Sequence, residues 1–156
     1  MNHEELLIRQ ATVSDKQALL NFEQAVIEAE RPFNSQIKDQ AHYYDIDHLI
    51  KSDTSCLIVA QYNGDIIGTG YVSIRASKHS LVHEQHGYLG FMFVSPEYRG
   101  QGVNQRVIDA LIEWAKSKRI HDFYLDVYSE NQAAINAYEK LGFKPTLLEM
   151  KVNIAQ

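Results

Sequence analysis

The sequence predicts an α/β sandwich with hairpins beside crossover helices, in the order β-α-α-β-β-β-α-β-α-β. Three observations lead there. The apolar stretch 88–94 runs through a glycine-bearing turn straight into a helix-period pattern. Two apolar runs flank Asn63-Gly64-Asp65, and Asn-Gly suits a hairpin turn that needs positive φ. Finally, the alternating run 123–128 precedes a second helical pattern that stops at Gly142, a residue suited to a helix C-cap.

Each element follows from its residues. Residues 6–11 read as a short first strand. Thr12 or Ser14 can cap the helix that follows, with Asp15 in its first turn. Leu19, Phe22, Val26 and Ala29 recur at helical spacing, and the helix should reach about Glu30, because Pro32 makes Arg31 a poor helical residue. Residues 31–38 read as loop, and Tyr43, Ile46 and Ile50 mark a shorter helix ending near Lys51. Strands at 55–62 and 66–74 form the hairpin around Asn63-Gly64, and the polar stretch 76–86 reads as loop. The third helix should bury Val103, Val107, Leu111 and Trp114. A fourth should begin near Glu130 and pack Ala134, Ala137 and Leu141, with a last strand or hairpin over 143–154.

At 156 residues, with 45% hydrophobic and 22% charged side chains, the expectation is one domain over 1–156 that buries its own core. A formal net charge of -5 with mixed signs argues against a nucleic-acid or anionic-membrane partner. The acidic start does not resemble a secretory signal, and no apolar run has the length of a bilayer span. Cys56, the single cysteine, cannot form an internal disulfide and fits a reducing cytoplasm. It lies on an early apolar strand, where a buried structural thiol is favoured over a nucleophile. His83-Glu84-Gln85-His86 lacks the spacing of the helical zinc motif, so a surface loop is favoured over a metal site and no metal is expected.

The most informative segment is Arg99-Gly100-Gln101-Gly102-Val103-Asn104. Strand, glycine turn and helix start together make a cradle for phosphate. Glycine lets the backbone approach closely, and the unpaired amides and positive dipole at a helix N-terminus favour an anion. The turn lacks the Lys-Ser/Thr of a P-loop.

With its lead-in Val94-Ser95-Pro96-Glu97-Tyr98, this turn resembles the phosphate motif of the GNAT superfamily of acetyl-coenzyme A-dependent N-acetyltransferases. That motif is Arg or Gln, two residues, Gly, one residue, then Gly or Ala. A second segment, Asn131-Gln132-Ala133-Ala134-Ile135-Asn136-Ala137-Tyr138 through Gly142-Phe143, is similar to the superfamily's pantetheine helix. The chain departs from the pattern at Asn104, whose backbone amide can still donate but whose side chain adds volume beside the pyrophosphate. Asn131 and Tyr138 are seven residues apart, about two helical turns, and so share one helix face.

The resemblance implies an acyl-coenzyme A N-acyltransferase fold: four or so helices on a mixed, mostly antiparallel twisted sheet of about six to seven strands, splayed between the fourth and fifth. It implies that main-chain groups of Phe91, Phe93 and Val94 hold the pantetheine arm like an added strand. Amides of Arg99, Gly100, Gln101, Gly102, Val103 and Asn104 would hold the pyrophosphate, and Asn131 would lie along the arm. Tyr138 would protonate the departing thiolate as a substrate amine attacks the acetyl carbonyl directly in a ternary complex. Acetyl-coenzyme A is then the co-substrate, and the acceptor is a small-molecule or peptide amine. The oligomeric state is open, with a homodimer as a candidate because dimers are frequent in that superfamily.

The general base is open. Glu30 closes the first helix beside the loop that would border the acceptor pocket, and Tyr43, Tyr44, Asp45 and Asp47 lie in the same region. Glu84 would share a strand face with His86 and Tyr88 if the fourth strand begins early. A non-catalytic acyl-coenzyme A sensor or assembly module of the same fold is the alternative reading, favoured by the unassigned base and disfavoured by intact Asn131 and Tyr138.

Overall fold

The structure, a computed structural model, describes residues 1–155. The chain forms two compact units, Met1–Asp126 and Val127–Gln156.

In the first unit, β1 (Leu7–Gln10), β2 (Ser55–Tyr62), β3 (Asp65–Ala76) and β4 (Gln85–Val94) make consecutive antiparallel pairs, and β5 (Phe123–Tyr124) joins β4 in parallel. The sheet order is β1-β2-β3-β4-β5. The hairpin between β2 and β3 turns at Asn63 (φ 52°) and Gly64 (φ 84°), the backbone that Asn-Gly favours.

Three helices cover this sheet: α1 (Lys16–Glu30), α2 (Ile46–Lys51) and α3 (Val103–Lys116). On one face, Leu57, Val59, Tyr71 and Phe91 pack with Leu19 of α1 and Ile46 and Leu49 of α2. On the other, α3 buries Val103, Val107, Ile108, Leu111 and Ala115. Its Val103 and Val107 side chains would lie 3.3 and 3.1 Å from a Cβ built on Gly68 and Gly70, so those glycines let α3 settle against β3.

The start of α1 is tied to β1 by charge. Asp15, 6% exposed, accepts two hydrogen bonds from Arg9, at 2.8 and 2.9 Å, and one from the Thr12 amide at 2.8 Å. These bonds hold the Asp15 carboxyl below the usual carboxylate range, the Arg9 hydrogen bonds contributing most.

Several expectations need correction. The described residues contain five strands rather than six or seven, because 143–154 forms none and the fifth strand stops at Tyr124. The buried stripe of α1 is Leu19, Glu23 and Ile27; Phe22 and Val26 flank it, half-buried, and Ala29 is exposed. Helix α2 begins at Ile46 because the Asp45 carboxylate accepts from the His48 amide at 3.1 Å, which leaves Tyr43 in the preceding loop. Trp114 is half-buried, with Ala115 taking the core position. In the second unit, α4 (Gln132–Lys140) starts two residues later than expected, Asn131 being its cap, and Ala137 is exposed.

Candidate functional site

The glycine turn takes left-handed backbone at both of its glycines. After β4, Pro96–Tyr98 forms one turn of 3₁₀-helix; Gly100 (φ 74°) and Gly102 (φ 83°) then take left-handed backbone, and Gly102 is the N-cap of α3. The amides of the helix's first turn have no intrahelical acceptor within reach, and the positive end of the dipole lies with them. A Cβ built on Gly100 would meet nothing within 4 Å, and one on Gly102 only the His3 ring at 3.4 Å. The glycines therefore serve backbone conformation, not space. The Arg99 Nε donates to the Val94 carbonyl at 2.8 Å and its guanidinium lies 5.5 Å from the Phe93 ring centre, fastening the turn to the end of β4. The Asn104 side-chain oxygen is buried with no hydrogen-bond partner among the described residues.

Beside the turn, the sheet opens. Among the described residues, β5 pairs with β4 only at Gly87–Phe123 and Tyr88–Tyr124, so β4 from Leu89 to Val94 has no strand on that edge. The opening coincides with a bulge: Thr69 faces Phe93 while Tyr71 faces Gly90, and Phe91 takes a positive φ of 55°. The splay between fourth and fifth strands is present. Phe91, Phe93 and Val94 belong to this stretch of β4, and the Val94 carbonyl accepts from Arg99 Nε.

Beyond the bulge, an aromatic cluster extends from β4 to the loop between α1 and α2. The Tyr44 ring stacks on Phe91, with centres 4.2 Å apart and planes inclined by 15°, and meets Tyr43 and Tyr71 edge-on at 5.7 and 6.0 Å. Tyr88 lies 6.4 Å from Tyr71 and donates its hydroxyl to Asp126 at 2.8 Å, under an Arg75 guanidinium 3.9 Å from its ring centre. Burial pushes the Tyr44 and Tyr88 phenols up, and for Tyr88 the hydrogen bond to Asp126 adds to it. Glu30 stands at the same end of α1. Burial raises its carboxyl above the usual range, opposed by a hydrogen bond from Tyr43.

Glu84 is exposed in the loop just before β4, and its carbonyl accepts from the Ser77 amide at 2.8 Å. β4 begins one residue later, so His86 and Tyr88 share a strand face that Glu84 precedes. A separate network joins His83, His86 and Tyr124: the Ser77 hydroxyl lies 2.7 Å from His83 Nδ1 and 2.9 Å from His86 Nδ1, and His83 Nε2 lies 2.9 Å from the Tyr124 hydroxyl. Among the described residues, no group of three or more His, Cys, Asp or Glu could hold a metal ion. Cys56 is buried and its thiol is pushed up to about 11 by burial.

In the second unit, the Asn131 side chain accepts from the Ala134 amide at 3.2 Å and caps α4. Tyr138 lies two turns on, edge-on to Phe143 at 5.9 Å. The helix closes at Gly142 (φ 97°), where the Phe143 amide donates to the Tyr138 carbonyl at 3.1 Å.

Sequence reasoning missed Tyr71, Arg75 and Asp126 of the aromatic cluster, and buried Glu23 beneath it. The one available signal for Glu23 was its place four residues from Leu19 and from Ile27 on the helix.

Comparison with known proteins converges on one family. The chain is 41% identical over 64 residues to the uncharacterized N-acetyltransferase YobR of Bacillus subtilis, a match covering 41% of this chain and 26% of that protein. It is 29% identical over 112 residues to the aminoglycoside N(6')-acetyltransferase type 1 of Salmonella typhimurium, covering 69% of this chain and 75% of the relative. The structure of AAC(6')-Iy in complex with the bisubstrate analog CoA-S-monomethyl-acetylneamine superposes with a TM-score of 0.72 at 22% identity, covering 97% of this chain and 99% of that one, and so shares the fold. The acetyltransferase (GNAT) family model matches residues 23–143, and the chain belongs to that family.

Proposed function

We propose that this protein transfers the acetyl group of acetyl-coenzyme A to an amine nitrogen by direct attack in a ternary complex. The observation that carries the reading is the left-handed glycine turn capping α3 directly beside the unpaired edge of β4. Such a turn offers amides to a pyrophosphate, and such an edge offers main-chain groups to a pantetheine arm. The amides of Arg99, Gly100, Gln101, Gly102, Val103 and Asn104 hold the diphosphate. Phe91, Phe93 and Val94 line the arm; Asn131 is assigned to the arm by its match to the family's motif. The names of the relatives, an aminoglycoside acetyltransferase and a neighbour bound to a coenzyme A bisubstrate analog, support the same donor and an amine acceptor.

In the reaction, the nitrogen lone pair forms the new N–C bond and the C–S bond breaks. Glu30 takes one proton from the ammonium before attack and passes it to solvent. As the C–S bond breaks, Tyr138 gives its proton to the thiolate and is reprotonated by the second proton that the acylated nitrogen releases, which leaves coenzyme A and the amide. Glu84 is the weaker candidate base, being exposed and outside the aromatic cluster. Tyrosine faces and two carboxylates, Glu30 and Asp126, suit a cationic amine.

A cytoplasmic setting and a homodimer are part of the same proposal. Leu148, Met150, Val152 and Ile154 alternate along the C-terminal segment and are 68–89% exposed, apolar surface that a second copy would cover. Light scattering should give twice the chain mass at micromolar concentration.

The experiment is thiol release from acetyl-coenzyme A against a panel of neamine, spermidine, glucosamine 6-phosphate and a lysine-containing peptide. Amine-dependent release with at least one of them supports the proposal. Tight acetyl-coenzyme A binding without release across the panel would refute it.

A further inference from the structure

The α1 helix carries a carboxylate that the proposed reaction does not use. Glu23 is 0% exposed, on the helix stripe between Leu19 and Ile27. A buried carboxylate is costly unless its lone pairs are filled, and Glu23 fills them from the loop ahead of α2. One oxygen accepts from both the Tyr43 amide, at 2.9 Å, and the Tyr44 amide, at 2.8 Å. The other faces His42 Nδ1 at 3.1 Å, on a His side chain that is 74% exposed.

These are the two residues on which the aromatic cluster depends. Residues 41–45 form no helix or strand, so no ladder serves their amides. With both amides held on one oxygen, the backbone course at 43–44 is set from below. That course places the Tyr44 ring against Phe91 at the bulge and puts Tyr43 beside Glu30. The bulge borders the open edge of β4, and Glu30 is the candidate base.

We infer that Glu23 is a positioning residue: by binding the Tyr43 and Tyr44 amides it holds the acceptor-side loop in register with the β4 bulge. It touches neither substrate and acts through Tyr43, Tyr44 and Glu30. The inference rests on the acetyl-transfer reading for its functional half, and on geometry alone for the loop.

The test separates the two halves. In the unaltered protein, hydrogen exchange at the Tyr43 and Tyr44 amides should be at least about 100-fold slower than at Gln40 in the same connection. Equal rates would overturn the inference. Glu23→Gln keeps a carbonyl oxygen for both amides, whereas Glu23→Leu removes it while retaining apolar bulk. With the fastest amine of the panel, Glu23→Leu should raise the acceptor KM at least about tenfold and leave acetyl-coenzyme A affinity within about threefold, with Glu23→Gln close to the parent on both. Equal losses in the two variants, or a parallel loss of acetyl-coenzyme A affinity, would overturn it. If Glu23→Leu does not fold, the exchange measurement and the Glu23→Gln kinetics still decide. Slow amides without turnover of any amine would sustain the loop anchor and refute the acetyl-transfer reading.

Discussion

Replacing Gly102 by alanine tests the glycine turn by a perturbation whose cost comes from the backbone alone. Gly102 sits at φ 83° and ψ 9°, where an L-residue costs about 1–2 kcal/mol relative to right-handed backbone. The added methyl meets only the His3 ring at 3.4 Å, an ordinary contact, so no steric term is added. The cost has two possible destinations. If α3 and β4 hold the turn in place, it appears as lost stability: about 2–4 °C in Tm for each kcal/mol in a chain of 156 residues. If the turn relaxes to negative φ, the amides swing away and acetyl-coenzyme A affinity falls, by about 5- to 30-fold for the same energy. Urea unfolding and calorimetric titration with acetyl-coenzyme A, run on the same preparations, measure both. Gly100→Ala, at φ 74° with no atom within 4 Å of the new methyl, is the parallel case. Stability within about 0.3 kcal/mol and affinity within about twofold for both variants would refute the reasoning that these glycines are required for their left-handed backbone.

Other perturbations have equally definite outcomes. Glu30→Gln should lower kcat by about 10²–10⁴ and remove the acid limb of the kcat/KM profile, a limb that in the parent lies above the usual Glu value of about 4.3 because burial raises this carboxyl. An unchanged profile sends the base assignment elsewhere. Asn104→Ala deletes a buried oxygen without a partner and should raise stability by about 1 kcal/mol, read by urea unfolding, while acetyl-coenzyme A affinity changes less than about tenfold. Asp15→Asn should cost about 2 kcal/mol at neutral pH. Since Asp15's folded pKa is depressed, its contribution is present above the unfolded value of about 3.9 and disappears as pH falls through the folded one, so the two unfolding curves should converge in acid.

What could be read from the sequence was local chemistry, and what could not was long-range satisfaction. The glycine turn was legible because strand, glycines and helix period are contiguous from 88 to 116, and the hairpin because Asn63-Gly64 encodes its own backbone. Glu23 was illegible because its partners are amides about twenty residues away, whose availability depends on the loop having no ladder of its own. The same fact misdirected the α1 stripe: apolar spacing alone selected Phe22, Val26 and Ala29, while a satisfied carboxylate let the helix present Leu19, Glu23 and Ile27. The alternation at 148–154 is strand-like in composition, but a strand also requires a partner edge, which no pattern within the segment supplies. Tyr71, Arg75 and Asp126 joined the candidate site only through sheet register, and a register is set between strands rather than within one.

The central claim is that the turn from Arg99 to Asn104 receives the pyrophosphate of acetyl-coenzyme A. Calorimetric titration with acetyl-coenzyme A, acetyl-pantetheine and 3'-phosphoadenosine addresses it most directly, because the last two together supply the thioester arm and the nucleoside but no diphosphate. Two charge-assisted amide contacts of about 1.5 kcal/mol each predict that acetyl-pantetheine binds at least about 100-fold more weakly. Equal affinities for acetyl-coenzyme A and acetyl-pantetheine, or a 3'-phosphoadenosine affinity that accounts for the whole difference, would contradict the account.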